Sequence, residues 1–334
     1  MHPMNRRTLL ASLTALTVMP AAAQDVVYFR IGTGAVGGAH FQIGALLADA
    51  VSNPPGARPC DKGGACGVPG LIALAQSSAG AVANIRALAD GRLDAGLVQA
   101  DVAHWAFHGA GPFAGKGAVQ SLRAVAVLFS DNLHVVTRRD AGVASLADLR
   151  GKRVSLGEAG SGTQLEARTI LAAHGMREHD LTPLRLATAD AAEQLRRGEI
   201  DAFLALDAAP VPSIAALARA TAIALLPVGG AETERLCRGL RFFKPGSIPA
   251  GSYAGQTAAV PSLEVPVVLL VSAAAPRDRV YAITRALWHP ATSKLLAEGN
   301  PHGREIRLTA ATEALGVPLH AGAAAYYFDV GLVN

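Results

Sequence analysis

The chain has 334 residues, 51% of them apolar, with 30 Lys and Arg against 26 Asp and Glu and a formal net charge of +4 at pH 7. The basic residues are scattered and no arginine run is interleaved with aromatics, so the pattern does not support nucleic-acid binding. Ala and Gly supply much of the apolar fraction, yet it is ample for packed cores.

Residues 1–23 read as a targeting segment. Arg6 and Arg7 form the basic region, residues 9–19 the apolar core, and Ala21, Ala22 and Ala23 the small-residue cleavage site. The apolar run is too short to span a bilayer. A mature chain that starts near Gln24 and is periplasmic is expected. Arg6-Arg7 ahead of Leu9 and Leu10 suits the twin-arginine route and an ordinary secretory signal equally. Cleavage leaves roughly 310 residues, a length that suggests two domains.

Residues 26–31 are a short β-rich run. A glycine turn follows, with Gly32, Gly34, Gly37 and Gly38, and then Phe41, Ile43, Leu46, Leu47, Ala50 and Val51 recur at helical spacing. Strand, glycine turn and helix in this order leave backbone N–H groups free at a helix N-terminus, a seat for an anion built from Gly34, Gly37, Gly38, Ala39 and His40. The turn also satisfies the dinucleotide fingerprint, but that fingerprint needs an acid about 20 residues on, at a second strand end. Here the chain enters a Pro-rich loop at Asn53 instead. No cofactor is expected.

Cys60, Cys66 and Cys237 are the cysteines. In an oxidising compartment the close pair reads as a disulfide closing a Gly-rich loop, worth about 2 kcal/mol in the chain-entropy picture. A metal site is the competing reading, but no His or second pair stands nearby at ligand spacing. Cys237 is expected as a buried free thiol.

Residues 69–75 read as a strand with Ser78 beyond its end, residues 82–90 as a helix, and residues 95–98 as a strand running into Gln99, Ala100, Asp101 and a helix that carries Trp105 and Phe107. This alternation argues an α/β parallel sheet, with ligands beyond the carboxyl ends of its strands. Trp105 and Phe107 read as core packing. Two strands are expected at 122–129 and 133–137, separated by Ser130, Asp131 and Asn132. Ser145 caps a short helix, and a strand then leads to a second glycine turn with Ser161, Gly162 and Thr163, a second anion seat. In the helix after it, Glu166 and Arg168 read as a solvated face. The run from Gly91 to Val98 recurs in kind from Gly198 to Ala205, and Asp207 ends its strand as Asp101 follows the other. A helix at 214–218, a strand at 222–227, a Gly- and Pro-rich loop at 246–256, an apolar run at 265–272 and helices at 277–288 and 290–298 complete the reading. The fold class is α/β, two-lobed, with lobe I at 24–127 and 262–334, lobe II at 128–261, and a ligand cleft between them. His320, Tyr326 and Tyr327 read as lobe packing or partner surface.

Several motifs together resemble the TAXI family of TRAP-transporter solute-binding proteins. They are the first glycine turn, the run from Gly80 to Asn84, Gly96 to Asp101, Gly160 to Thr163, Ile248 to Gln256, Val280 to Thr284 and Val317 to Tyr327. They span nearly all of the mature chain in the family's order. Three positions depart from it. Ala39, His40 and Phe41 stand where a hydroxyl and an aromatic are usual, Ala81 replaces a serine, and the Cys60–Cys66 loop is longer. The resemblance implies a type II-like periplasmic binding fold that hands a small anion, glutamate-like or a dicarboxylate, to a sodium-coupled TRAP membrane permease. It places binding residues on the first glycine turn, on Gln99, Ala100 and Asp101, and on Ser161, Gly162 and Thr163. A monomer without catalytic activity is expected. A sensor subunit and a secreted hydrolase are the alternatives, the hydrolase weakened because Ser161 does not sit in the nucleophile-elbow pattern.

Overall fold

The computed structural model describes residues 26–333, so the targeting segment and its cleavage site lie outside the described residues. The chain opens with β1 (Val27–Gly32), α1 (Ala39–Val51), the short strands β2 (Ser52–Asn53) and β3 (Val68–Pro69), β4 (Leu71–Gln76), α2 (Ala81–Ala89), β5 (Ala95–Gln99) and α3 (Ala100–His108). Then come β6 (Leu122–Arg138), β7 (Arg153–Ser155), α4 (Gly162–Ala173), β8 (Thr182–Leu184), α5 (Thr188–Arg197), β9 (Ala202–Asp207), α6 (Pro212–Ala220), β10 (Ile223–Leu225), α7 (Gly230–Gly239) and β11 (Lys244–Ile248). The chain closes with β12 (Val260–Ser272), α8 (Arg277–Leu287), α9 (Pro290–Gly299) and α10 (Ala321–Asp329).

The strands form a sheet in the order β4-β1-β5-β12-β6-β9-β7-β8, with β10 added to β6 and β11 to β12. β1 pairs in parallel with β4 and β5, and β7 in parallel with β8 and β9, so each lobe carries its own parallel group. Every residue of β5 is buried, and β12 is buried from Val265 to Val271, which is why both read as apolar runs without alternation.

The two groups are joined by β6 and β12. β6 is one strand of 17 residues, not the two expected. Ser130, Asp131 and Asn132 contain neither Gly nor Pro, and they pair with Pro266, Val265 and Glu264 of β12 instead of turning. Asn132 also lies opposite Asp207 of β9. β12 pairs with β5 through Val267–Val271 and with β11 through Val260–Glu264, and its register against β6 shifts between Pro266 and Val268. The crossover between lobes therefore falls at Ser130–Asn132, in the middle of continuous backbone. The result is the two-lobed α/β fold of periplasmic binding proteins, with a cleft at the carboxyl ends of the parallel strands.

The repeated acidic turn has one structural job in both lobes. Asp94 accepts from the backbone N–H and Nε of Arg30, each at 2.8 Å, while Arg30 Nη2 donates to Gly91 O. Asp201 accepts from Arg153 N–H at 2.8 Å and Nη2 at 2.7 Å, and Arg153 Nη2 donates to Gly198 O. These pairs are half-exposed and add little stability each, but they lock the first strand of each lobe to the strand that ends at the cleft.

Trp105 is buried against Phe243, and Tyr327 is buried with its hydroxyl donating to Val125 O, so both are packing residues. His320 caps α10 by accepting the Gly322 N–H. Cys60 and Cys66 form a disulfide with Cα atoms 4.7 Å apart. Cys237 is a free thiol, half-buried rather than buried as expected.

Candidate functional site

A cavity of about 120 Å³ lies between the lobes. Six helices begin at its wall. α1 contributes Gly38 and His40, α2 Gly80 and Ala81, and α3 its N-cap Gln99; α4 contributes Ser161, Gly162 and Thr163, α5 Ala187, Thr188 and Ala189, and α6 Val211 and Ser213. Of these six, only α4 is capped by its own N-cap side chain: Ser161 Oγ accepts the Gln164 N–H at 3.1 Å. The first N–H groups of a helix have no partner within it, and the macrodipole adds partial positive charge there. The cavity thus gathers six positive helix ends. No Lys or Arg lines it among the described residues; its titratable groups are His40, Glu158 and Asp207.

Of the residues singled out in the sequence, Gly34, Gly37, Gly38, His40, Gln99, Ser161, Gly162, Thr163 and Asp207 stand together on this wall. Ala39, Ser78, Ala100 and Asp101 lie off it. Ser78 shapes the start of α2 by donating to Thr33 O and accepting the Gly80 N–H. Ala100 and Asp101 are buried behind Gln99. Glu158, Gly80, Ala81, Ala187–Ala189, Val211 and Ser213 were missed. The signal for most of them is the strand-to-helix junction itself, which β8–α5 and β9–α6 share with the glycine turns but without their glycines.

The lobes touch through polar groups. Both oxygens of Asp207, from β9, accept the Ala39 N–H at 3.2 Å, so lobe II caps the N-terminus of α1. A Cβ on Gly38 would stand 2.7 Å from Asp207 Oδ2, which is why this turn needs glycine. Ala83 N–H of α2 donates to Gly160 O at 3.2 Å. Gly162 packs on Gln99, and a Cβ there would collide with Gln99 Oε1. Thr163 Oγ1 accepts the Leu206 N–H at 3.1 Å, tying α4 to β9 within its own lobe.

Behind the wall stands Asp131, buried at the crossover of β6. It accepts from His40 Nε2 at 2.8 and 3.0 Å and from Gln99 Nε2 at 2.7 Å. Burial opposes a charge on His40, but Asp131 outweighs it and raises the imidazole to about 9. Burial pushes Asp207 up to about 6, Asp101 up to about 7, and Glu166 well above the usual carboxylate range. Glu166 corrects the sequence reading: it is fully buried, while Arg168 is outside and pairs with Glu178. Burial holds His134 down to about 4, with Tyr253 hydrogen-bonded to its Nε2 at 2.8 Å.

Among the described residues, two groups of side chains have metal-ligand spacing. His40, Asp131 and Asp207 offer donor atoms within 4.8 Å of one another, but the His40–Asp131 bond and the N–H groups of Ala39 and Ala208 already engage those atoms. Cys60, Cys66 and His289 are the other group, and its sulfurs are joined in the disulfide.

Residues 31–331 match the NMT1-like family. The chain belongs to the NMT1-like family. Among solved structures it is similar to the alkanesulfonate-binding protein SsuA from Xanthomonas axonopodis pv. citri bound to MOPS, at 18% identity over 93% of this chain and 96% of that one, with a TM-score of 0.50. It is also similar to a protein from Bordetella bronchiseptica RB50, at 17% identity over 91% and 82% of the two chains, with a TM-score of 0.51. At these identities the likeness establishes the fold of this NMT1-like chain.

Proposed function

We propose that the protein is an extracytoplasmic, monomeric solute-binding protein that catalyses nothing, encloses a small anionic molecule between its lobes and delivers it to a membrane permease. The observation that carries this reading is the convergence of six helix N-termini, five with no cap from their own N-cap side chain and one of these met by Asp207, on one interlobe cavity. Such ends bind carboxylate, phosphate or sulfonate without Lys or Arg. The neighbour bound to MOPS is itself named for a sulfonate ligand. Asp207 and Glu158 on the same wall suit an ammonium group, so a glutamate-like zwitterion fits better than a plain dicarboxylate. Gly34, Gly37, Gly38, His40, Gln99, Ser161, Gly162, Thr163 and Asp207 would form the binding surface, with Ala39, Ser78, Ala100 and Asp101 supporting it. Lobe I would comprise 24–127 and 262–334 and lobe II 128–261. The motif resemblance favours a sodium-coupled TRAP permease as the partner.

The test has two parts. Native mass spectrometry of the purified protein identifies any molecule that co-purifies. A thermal-shift panel then compares glutamate, a four-carbon dicarboxylate, an alkanesulfonate, a sugar and a polyamine. Stabilisation follows RT ln(1 + [L]/Kd), about 2.7 kcal/mol at a hundredfold excess over Kd. Stabilisation by the sugar or polyamine alone would overturn the reading.

A further inference from the structure

Asp101 is the second residue of α3 and Glu166 the fifth of α4, so the first belongs to one lobe and the second to the other. Both are fully buried. The N–H groups of Asp101 and Val102 act on the Asp101 carboxyl, but none of the four carboxyl oxygens makes a hydrogen bond of good geometry among the described residues. The two carboxyls are within hydrogen-bonding reach of each other. Gln99 Oε1, two residues before Asp101, on the cavity wall and packed on Gly162, is likewise buried without a donor.

Two carboxylates in this position cannot both be ionised, since burial and mutual repulsion oppose the same charge. A proton shared between them removes the repulsion and supplies the missing donor as an O–H···O⁻ bond. The surroundings offer no other remedy. Asp131 on β6 is the remaining charged group that acts on either carboxyl, and it is negative. His40 on α1 is committed to Asp131, and Asp207 on β9 to Ala39. His134 on β6 is bonded to Asn132 O and Tyr253. On their own helices, His104 faces Gly316 O and Arg168 faces Glu178. Arg86 of α2 is exposed and Glu264 of β12 half-buried, and on α7 Glu232 and Cys237 are half-buried while Glu234, Arg235 and Arg238 are exposed; none of them acts on the pair.

We infer that Asp101 and Glu166 form a proton-bridged latch between the lobes, so that closure takes up a proton and acid favours the closed form. When the lobes part, water reaches both groups and each returns to an ordinary carboxylic acid, ionised above pH about 4. The closed form then binds more protons than the open one. The ratio of closed to open protein should fall up to about tenfold for each pH unit, per proton taken up, from pH about 4 until the pair ionises in the closed form. The proposal rests on the cavity being a closing cleft, but its test needs no ligand.

Infrared spectroscopy of the unliganded protein at neutral pH should show the carbonyl stretch of a protonated carboxylic acid. The band should be lost in both Asp101→Asn and Glu166→Gln, whose amides keep the shape and supply a donor. X-ray scattering from pH 6.5 to 8.5, above the range in which Asp207 titrates, should show the wild type expanding as pH rises, with both variants unchanged. A missing acid band, a band that survives in both variants, or a wild type of constant dimensions would each overturn the latch. A variant that fails to fold leaves the wild-type band and scattering to decide. Failure of the ligand panel together with a pH-driven expansion would count against the ligand reading alone.

Discussion

Replacing His40 with Gln removes a cationic side chain in contact with Asp131, and the consequence can be worked out with its sign. His40 is raised from 6.5 to about 9 in the folded protein. The folded state therefore binds the proton more tightly than the unfolded one. That contribution is fully present below pH 6.5 and disappears as the pH rises through about 9. At 1.36 kcal/mol per pH unit, the interval corresponds to about 3 kcal/mol. Other groups act in other windows. Asp207 and Asp101, raised to about 6 and 7, also favour folding at lower pH, between pH about 4 and those values. The buried neutral His134 works the other way, since its contribution falls as the pH drops from 6.5 through about 4. Burial also raises Glu166, whose contribution likewise falls as the pH rises, so the comparison of wild type with His40→Gln is what isolates the histidine. Urea melts at pH 6.0 and 9.5 should show the wild type losing more stability over this range than the variant, by about 3 kcal/mol. Parallel profiles for the two proteins would refute the argument, because they would mean that the buried pair carries no net proton linkage.

Two further outcomes follow from the geometry. Thr163→Ala leaves the buried Leu206 N–H without its acceptor and should cost about 1–3 kcal/mol in a urea melt. Thr163→Ser should restore most of it; equal losses in both variants would show that the methyl group, not the hydroxyl, matters. Intact-mass analysis after alkylation of the unfolded, unreduced protein should find one label, on Cys237. Labels on all three cysteines would remove the disulfide.

The alternation of strand and helix, the two glycine turns and the two acidic helix stops were legible in the chain because each is a local event. The glycines stand at strand-to-helix reversals and Asp94 and Asp201 follow helix stops, signals contained in a few residues each, although what they meet, Asp207 beside Gly38 and the arginines of the adjacent strands, is distant in the chain. Other errors were also local in origin. Ser130, Asp131 and Asn132 are polar, and a polar triplet between apolar runs reads as a turn; only pairing with β12 on one side and β9 on the other shows that it is the crossover. Glu166 followed the same logic. Its charge suggests solvent, yet it shares the i, i+4 row with Gly162 and Ile170, both buried, and Gly162 in that row packs on Gln99 of the other lobe.

The units are written in the chain: which segments form parallel βαβ groups, where their strands end, and that glycine and hydroxyl residues stand at those ends. These follow from propensity, periodicity and backbone sterics within a few residues of each position. What those ends face depends on how the lobes pack. Only the closing of two lobes around β6 and β12 brings six helix N-termini to one cavity, sets Asp207 over α1, and presses Asp101 against Glu166. The charge state of a buried carboxyl depends on neighbours distant in the chain, so its chemistry emerges when the lobes meet.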